Sequence, residues 1–297
     1  MIGTALNDNI TGDNGDNTIY VGAGDNTVDA GTGNDTVVAS LQHIPPGFGT
    51  NRTANNLAGG IGEDTLVYVT EVTGGSATHS ITIDFLAGTV SSGLTHVSDN
   101  ISGFENAVGT NGVDTLRGDF GHNRLYGMRG NDGLLGGFGN DTLEGDTAAD
   151  SVAGLGGMDQ ILGGDGNDII IGGGNADTLN GGAGSDLFVY RDWISDCNFN
   201  QAPEQIEDFS RAQGDKIDLS QIDAKLNSAG DQAFTFLGFQ TSTSAFTGAG
   251  GEAYSTATNF PGSVAVYCDT NGDRFADMRI IVTTTDALSL QASDFVL

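Results

Sequence analysis

The chain has 297 residues, with 39 Asp+Glu against 10 Lys+Arg and a formal charge of -29. Such a surface repels nucleic acid and anionic membrane and attracts cations. Its 48 glycines show no Gly-X-Y period and its prolines number only 4, which excludes collagen and a Pro-rich linker; its 2 cysteines exclude a disulfide scaffold.

The opening residues, MIGTALNDNI, carry neither a basic nor an apolar stretch, so no signal peptide is expected, and no apolar run approaches the ~20 residues of a membrane span. Residues 3–38 read as four degenerate nonapeptides. Their sixth positions are Asp8, Asn17, Asn26 and Asp35, and their eighth positions are Ile10, Ile19, Val28 and Val37. Leu6, Val21 and Ala30 break the pattern. Residues 39–58, with Pro45-Pro46, read as an inserted loop. One isolated unit, GGIGEDTLV at 59–67, carries Asp64 and Leu66. In 68–108 the alternation of Ile81, Ile83 and Phe85 predicts a strand within an enlarged β coil, or spacer.

From Gly109 to Val189 run nine units of nine residues. Gly fills the first position of all nine: 109, 118, 127, 136, 145, 154, 163, 172 and 181. The sixth position is Asp114, Asn123, Asp132, Asp141, Asp150, Asp159, Asp168, Asp177 and Asp186. The eighth is always apolar: Leu116, Leu125, Leu134, Leu143, Val152, Ile161, Ile170, Leu179 and Phe188. After Tyr190 the period ends, and AFTFLGF, SVAVYCD and RIIVTT read as strands. The chain therefore divides into 1–67, 68–108, 109–189 and 190–297.

Glycine permits positive φ, so six residues of Gly, Asp and Asn make a turn and the last three make a very short strand. The eighth residue then points inward. Two units form one coil, and eighteen residues advance a solenoid by one strand spacing, ~4.8 Å. Sixth-position carboxylates stack at that spacing and repel by roughly 3 kcal/mol at an effective dielectric near 20. The ladder needs counter-charge, and carboxylate and carbonyl oxygens on a flexible loop select calcium. Ala148 and Asn175 replace the fourth-position Gly and are expected to loosen their turns.

This nonapeptide resembles the repeats-in-toxin (RTX) family. The resemblance implies an all-β protein: a right-handed parallel β-roll holding several Ca2+ ions between successive coils on each side. For Asp168 with Asp186 the implied further donors are the carbonyls of Gly164, Gly166, Gly181 and Ala183. Asp141 with Asp159 would add Gly137, Gly139 and Gly154; Asp150 with Asp168 would add Gly163; Asp159 with Asp177 would add Gly172. Asp114, Asp132, Asp8, Asp35 and Asp64 are the remaining acidic ligands, while Asn17, Asn26 and Asn123 would make weaker, neutral ones. The tail resembles the serralysin-type C-terminal domain at QIEDF, GDKIDLSQID, DTNGDRFADM and the final DFVL. That implies a β-sandwich-like domain and an uncleaved signal for type I export, fitted by Asp294-Phe295-Val296-Leu297.

Glu204 and Asp208 are a candidate calcium site at the end of the roll. Asp269, Asn271, Asp273 and Asp277 match the start of a calcium loop, but Arg274 stands where Gly is expected and Ile280 where Glu is, which favours a turn. Cys197 and Cys268 could form one disulfide or remain two thiols. His43, His79, His96 and His122 fall in no HExxH, and no GxSxG occurs, so no enzyme is expected. Trp193 and the tyrosines read as core or turn residues rather than sugar platforms. The expected function is a secreted, extracellular, non-catalytic calcium-binding module that folds on calcium after export. Two alternatives stand: a surface protein binding polysaccharide or a host membrane, and the C-terminal part of a secreted hydrolase or epimerase.

Overall fold

Each nonapeptide contributes one strand, and each strand pairs with the strand two units on. Leu143 stands opposite Ile161, and Ile161 opposite Leu179, a register of eighteen residues throughout the main block. The computed structural model describes residues 1–40, 54–69, 80–92, 98–191, 202–224, 232–241, 245–285 and 289–297. Among these the strands form two 13-stranded sheets, mostly parallel, lying on either side of one core: a parallel β-roll. The one helical element among the described residues is a 3-10 turn, Ala292–Asp294.

The eighth-position residues build that core. One sheet stacks Leu116, Leu134, Val152, Ile170, Phe188 and Ile217 in register. The other stacks Ile19, Val37, Leu66, Ala107, Leu125, Leu143, Ile161, Leu179 and Ile206. All are 2% exposed or less. Burying each aliphatic side chain contributes ~1.5–3 kcal/mol, and its two neighbours along the stack lie one strand spacing away.

In the regular part of the roll the strands are longer than the three residues expected. Gln160–Asp165 and Thr178–Ala183 each run six residues, into the first three positions of the next unit. The ladder survives there because Gly164 and Gly182 take φ of +108 and +89, which aligns the backbone with the coil below. Ala148 and Asn175 do not loosen their turns. They adopt the glycine conformation, at φ +97 and +84.

The insertions leave the stack intact. Residues 41–53 lie outside the described residues, yet Thr36–Ser40 and Thr65–Val69 pair in register on either side of them. Chain length in a surface loop costs little, ~0.6 kcal/mol per doubling. The expected strand near Ile81 is Ile81–Asp84, with Ile81 and Ile83 buried. It forms an antiparallel excursion with Thr89–Ser92 and Ser98–Ser102 before the parallel order resumes at Thr115–Arg117.

The tail is sandwich-like in having two layers, and those layers are the roll's own sheets. Glu204–Phe209 adds to Thr178–Ala183, and Met278–Thr284 adds to it in turn. Ser263–Asp269 and Glu252–Ala257 follow antiparallel. On the other sheet Lys216–Asp218 pairs with Leu187–Val189 and then with Phe295–Val296. Arg211 fastens that end through a bond of 2.8 Å from Nε and one of 2.5 Å from Nη2 to the buried carboxylate of Asp294.

Candidate metal centre

The stacking sets the sixth-position side chains in two ladders. In the first, Asp114 N–H donates to Asp132 Oδ1 at 2.7 Å, Asp132 to Asp150 at 2.7 Å, Asp150 to Asp168 at 2.7 Å and Asp168 to Asp186 at 3.0 Å. In the second, Asn123, Asp141, Asp159 and Asp177 are linked the same way at 2.7–2.8 Å. Asn123 Oδ1 accepts Asp119 N of its own unit at 2.9 Å while its Nδ2 donates to Glu105 O at 3.1 Å, whereas each aspartate rung uses Oδ1 to accept an amide of the coil before it. The other oxygen, Oδ2, turns toward the first glycine of its own unit.

Among the described residues, Asp35, Asp64, Asp132, Asp141, Asp150, Asp159, Asp168 and Asp186 all bury Oδ2 with no hydrogen-bond donor. These residues are at most 3% exposed. A buried carboxylate oxygen without a partner carries a desolvation penalty of about 1–3 kcal/mol or more, so a column of them calls for a ligand. The surroundings supply one kind of chemistry. A Cβ placed on Gly145 would lie 2.3 Å from both Asp150 Oδ2 and the Gly163 carbonyl oxygen. On Gly154 it would meet Asp159 Oδ2 and Gly172 O, and on Gly163 it would meet Asp168 Oδ2 and Gly181 O. The first-position glycine thus leaves open a cradle that any side chain would fill. Its donors are carboxylate and carbonyl oxygens, the set that fits a hard divalent cation such as calcium.

The expected carbonyl donors sit at the turns around these cradles, and some already accept backbone bonds. Ala183 O accepts from Gly166 N at 2.7 Å. Gly137, Gly139, Gly164 and Gly166 all have positive φ, and a Cβ on any of them would strike a carbonyl oxygen of the preceding coil. No three His, Cys, Asp or Glu side chains converge at one point among the described residues. A rung and its neighbour bring two carboxylates, and the other oxygens present are backbone.

Burial raises the ladder carboxylates well above the ordinary range. Asp132, Asp150, Asp159 and Asp186 are pushed up to about 7, by desolvation first and then by the like charge of neighbouring aspartates. Asp141 is raised to about 6, and Asp64, Asp114 and Asp168 are raised as well, again chiefly by burial.

The ladders also contain rungs that the period of nine does not reveal. The first runs Asp8, Asn26, Asn55 and Asp99 before its break, and it ends at Asp215, which accepts from Asp186 N at 3.0 Å. The second runs Asn17, Asp35, Asp64 and Glu105 before the main block, and Glu204 closes it by accepting from Asp177 N at 3.0 Å. Each of these residues precedes a core aliphatic by two positions, as Asn55 precedes Leu57 and Asp215 precedes Ile217. That pair is the signal a search without the glycine would find.

Two predicted acids differ from the rest. Asp8 Oδ2 accepts from Thr4 N at 2.6 Å, and Asp114 Oδ2 from Thr110 N at 2.5 Å, with the threonine hydroxyls adding further bonds. Both threonines occupy the second position of the first unit in a block, GTALND and GTNGVD. They satisfy the terminal rung from within the protein. Glu204 and Asp208, paired as a site in the sequence, are separated in role: Asp208 accepts from Gly181 N at 2.9 Å and Gly182 N at 2.7 Å.

DTNGDRFAD is the turn between Ser263–Asp269 and Met278–Thr284. Asp269 accepts from the amides of Asn271, Gly272 and Arg274, and Asp277 accepts from Thr270. His122 lies in an exposed turn, where Nδ1 accepts from Asn140 N. The Cys268 thiol is buried, and its pKa is pushed upward by that burial. Cys197, Trp193, His43, His79 and His96 lie outside the described residues.

Stacked acidic rungs on a parallel roll define a calcium-binding repeat protein. Comparison with known families agrees: residues 2–37 match the RTX calcium-binding nonapeptide repeat (4 copies), and the repeats bind several Ca2+ ions. Residues 92–297 match the family described as Peptidase M10 serralysin C terminal, and the chain belongs to that family. Among solved structures, the AlgE6R3 subunit of the Azotobacter vinelandii mannuronan C5-epimerase is similar, with 21% identity, a TM-score of 0.36, and coverage of 55% of this chain and 78% of that one. For the AlgE6R2 subunit of the same epimerase the values are 18%, 0.38, 61% and 91%. Comparison with curated proteins gives no match.

Proposed function

We propose that this chain is a non-catalytic extracellular module whose roll closes only when calcium neutralises the two carboxylate ladders. The observation that carries this reading is the column of buried Oδ2 atoms, from Asp132 to Asp186, held beside carbonyl oxygens. Asp132, Asp150, Asp168 and Asp186 would hold cations on one side, and Asp141, Asp159 and Asp177 on the other. Asp35 and Asp64 extend the second side toward the N-terminus.

Calcium supplies the positive charge that lets neighbouring rungs stay ionised out of water. The chain supplies everything else. Oδ1 fixes each aspartate rung to the coil before it, the first glycine keeps the cradle open, and the eighth-position aliphatic anchors the strand. A ligand present at 100 times its dissociation constant stabilises the folded state by ~2.7 kcal/mol per site, so several sites make folding steep in calcium. Where calcium is scarce, the chain would remain unfolded and able to thread an export channel. The serralysin-type tail supports type I export and a secreted location, with residues 294–297 as the signal.

The test is circular dichroism at neutral pH during calcium titration. Strand signal should appear cooperatively with calcium and vanish on chelation. A signal indifferent to chelator overturns the reading.

A further inference from the structure

We infer that the fifth-position side chain of the nonapeptide is a positioning residue for calcium: it aims a carbonyl of the next coil into the cradle. The inference rests on the calcium reading and gives a role to residues outside the two ladders. Among the described residues, Asn7 accepts from Asp25 N at 2.9 Å, Asp16 from Asn34 N at 2.8 Å and Asn34 from Glu63 N at 3.1 Å. In the main block His122 accepts from Asn140 N at 2.6 Å, Asn140 from Met158 N at 3.0 Å and Asn167 from Ser185 N at 2.8 Å. Each of these side chains takes the fifth-position amide of the coil after it. The column therefore runs opposite to the aspartate rungs, whose Oδ1 takes an amide of the coil before.

Peptide planarity gives this bond a consequence. The fifth N–H and the fourth C=O belong to one trans peptide group and point in opposite directions. An acceptor in the preceding coil thus turns the fourth carbonyl toward the following one. The Gly139–Asn140 peptide shows both ends. Its N–H goes back to His122, and Gly139 O reaches forward so far that a Cβ on Gly157 would collide with it. The Gly33–Asn34 peptide repeats this between Asp16 and Gly62.

An asparagine rung shows that the carbonyl so turned faces the cradle. Asp25 N donates to Asn7, and at the other end of the same peptide group Gly24 O accepts from Asn26 Nδ2 at 3.2 Å. In an aspartate coil an oxygen stands where Asn26 has Nδ2. Carboxylate and carbonyl then face each other with no proton between them, and a cation takes the proton's place. A hydrogen bond that holds the peptide from behind keeps this ligand aimed and lowers the cost of ordering it on binding. The column is broken one coil further on, where Met158 offers Ala176 a thioether while Asn140 offers Met158 an amide oxygen.

The test is stopped-flow release of calcium from the loaded full chain into excess fluorescent chelator, with circular dichroism confirming beforehand that each variant is folded. Asn140→Leu keeps the size of the side chain and removes the acceptor, so about one ion should leave roughly fivefold faster, the effect of one lost hydrogen bond. Asn140→Asp keeps the oxygen and should release at the wild-type pace. Met158→Asn supplies the missing acceptor and should slow about one ion by a similar factor; it decides alone where N140L does not fold. Traces of N140L and M158N that superimpose on wild type overturn the inference. Equally hastened release from N140D and N140L overturns it too, since packing rather than the acceptor would then matter. A wild-type chain that keeps its strands in chelator overturns the calcium reading, and this inference with it.

Discussion

The N-terminal repeats and the main block share one coil geometry and differ in how each rung is satisfied. In the first block Asn26 accepts the Asp8 amide through Oδ1, as an aspartate would, and its Nδ2 donates to Gly24 O at 3.2 Å. Asn17 Nδ2 donates to Asp13, and Asn55 Nδ2 to Asp99. In the main block most rungs are aspartates, and the second oxygens of Asp132, Asp141, Asp150, Asp159, Asp168 and Asp186 face a cradle of oxygens with no donor. An amide rung completes its bonds within the protein, whereas a carboxylate rung leaves a charge that only a cation can complete. The contrast separates what builds the coil, the Oδ1 ladder and the aliphatic stack, from what makes it calcium-dependent.

Four substitutions and one change of condition sharpen that contrast. The largest effect is expected from Gly157→Ala, because its Cβ would lie 1.5 Å from Gly139 O at a φ of +142. A loss of about 3 kcal/mol should appear as a lower urea midpoint in saturating calcium. Next is Asp159→Asn, which turns a main-block rung into an N-terminal one. The calcium-linked stabilisation should fall by ~2.7 kcal/mol at 100 times the dissociation constant, while the calcium-free chain becomes no less stable. The reverse change, Asn26→Asp, should strengthen the calcium response of the first block, to which Asp35 already contributes an unpaired Oδ2; thermal melts with and without chelator read both.

Acidification comes third. The folded pKa of Asp132, Asp150, Asp159 and Asp186 is raised from 3.8 to about 7 without metal. A raised carboxylate binds more protons folded than unfolded, so its contribution is full below about 4 and is lost as pH rises through about 7. The calcium-free chain should therefore gain strand between pH 8 and pH 5, while calcium affinity falls over the same range as protons compete. A calcium-free signal that weakens on acidification would contradict this. The smallest effect is Leu155→Gly. Leu155 holds φ +94, and relieving it should add ~1 kcal/mol to stability in calcium, measured by melting.

Much of this was legible because the period of nine is also the half-coil. Leu143, Ile161 and Leu179 appear in the sequence at the spacing at which they stack in space. The cradle was legible too, from glycine at position one and aspartate at position six. Asn55, Asp99, Glu105 and Asp215 were not, because insertions displace them by 29, 44, 41 and 29 residues from the rung before. Stacking restores a register that counting cannot follow. The roles of Thr4 and Thr110 escaped for a different reason: a threonine in place of glycine reads as decay of the motif, whereas it donates to the last carboxylate of a ladder. The tail was legible as strands but not as a continuation of the roll, since its pairing joins segments far apart in the chain, as with Ile217 and Phe295.

The central claim is that the main-block carboxylates need a cation and the asparagine rungs do not. Amide hydrogen exchange at neutral pH, compared between calcium and chelator, tests it residue by residue. The account predicts that the amides of Asp132, Asp141, Asp150, Asp159 and Asp168 lose their protection on chelation, and those of Asp8 and Asn26 lose less. Equal protection of the main-block amides in calcium and in chelator would contradict it.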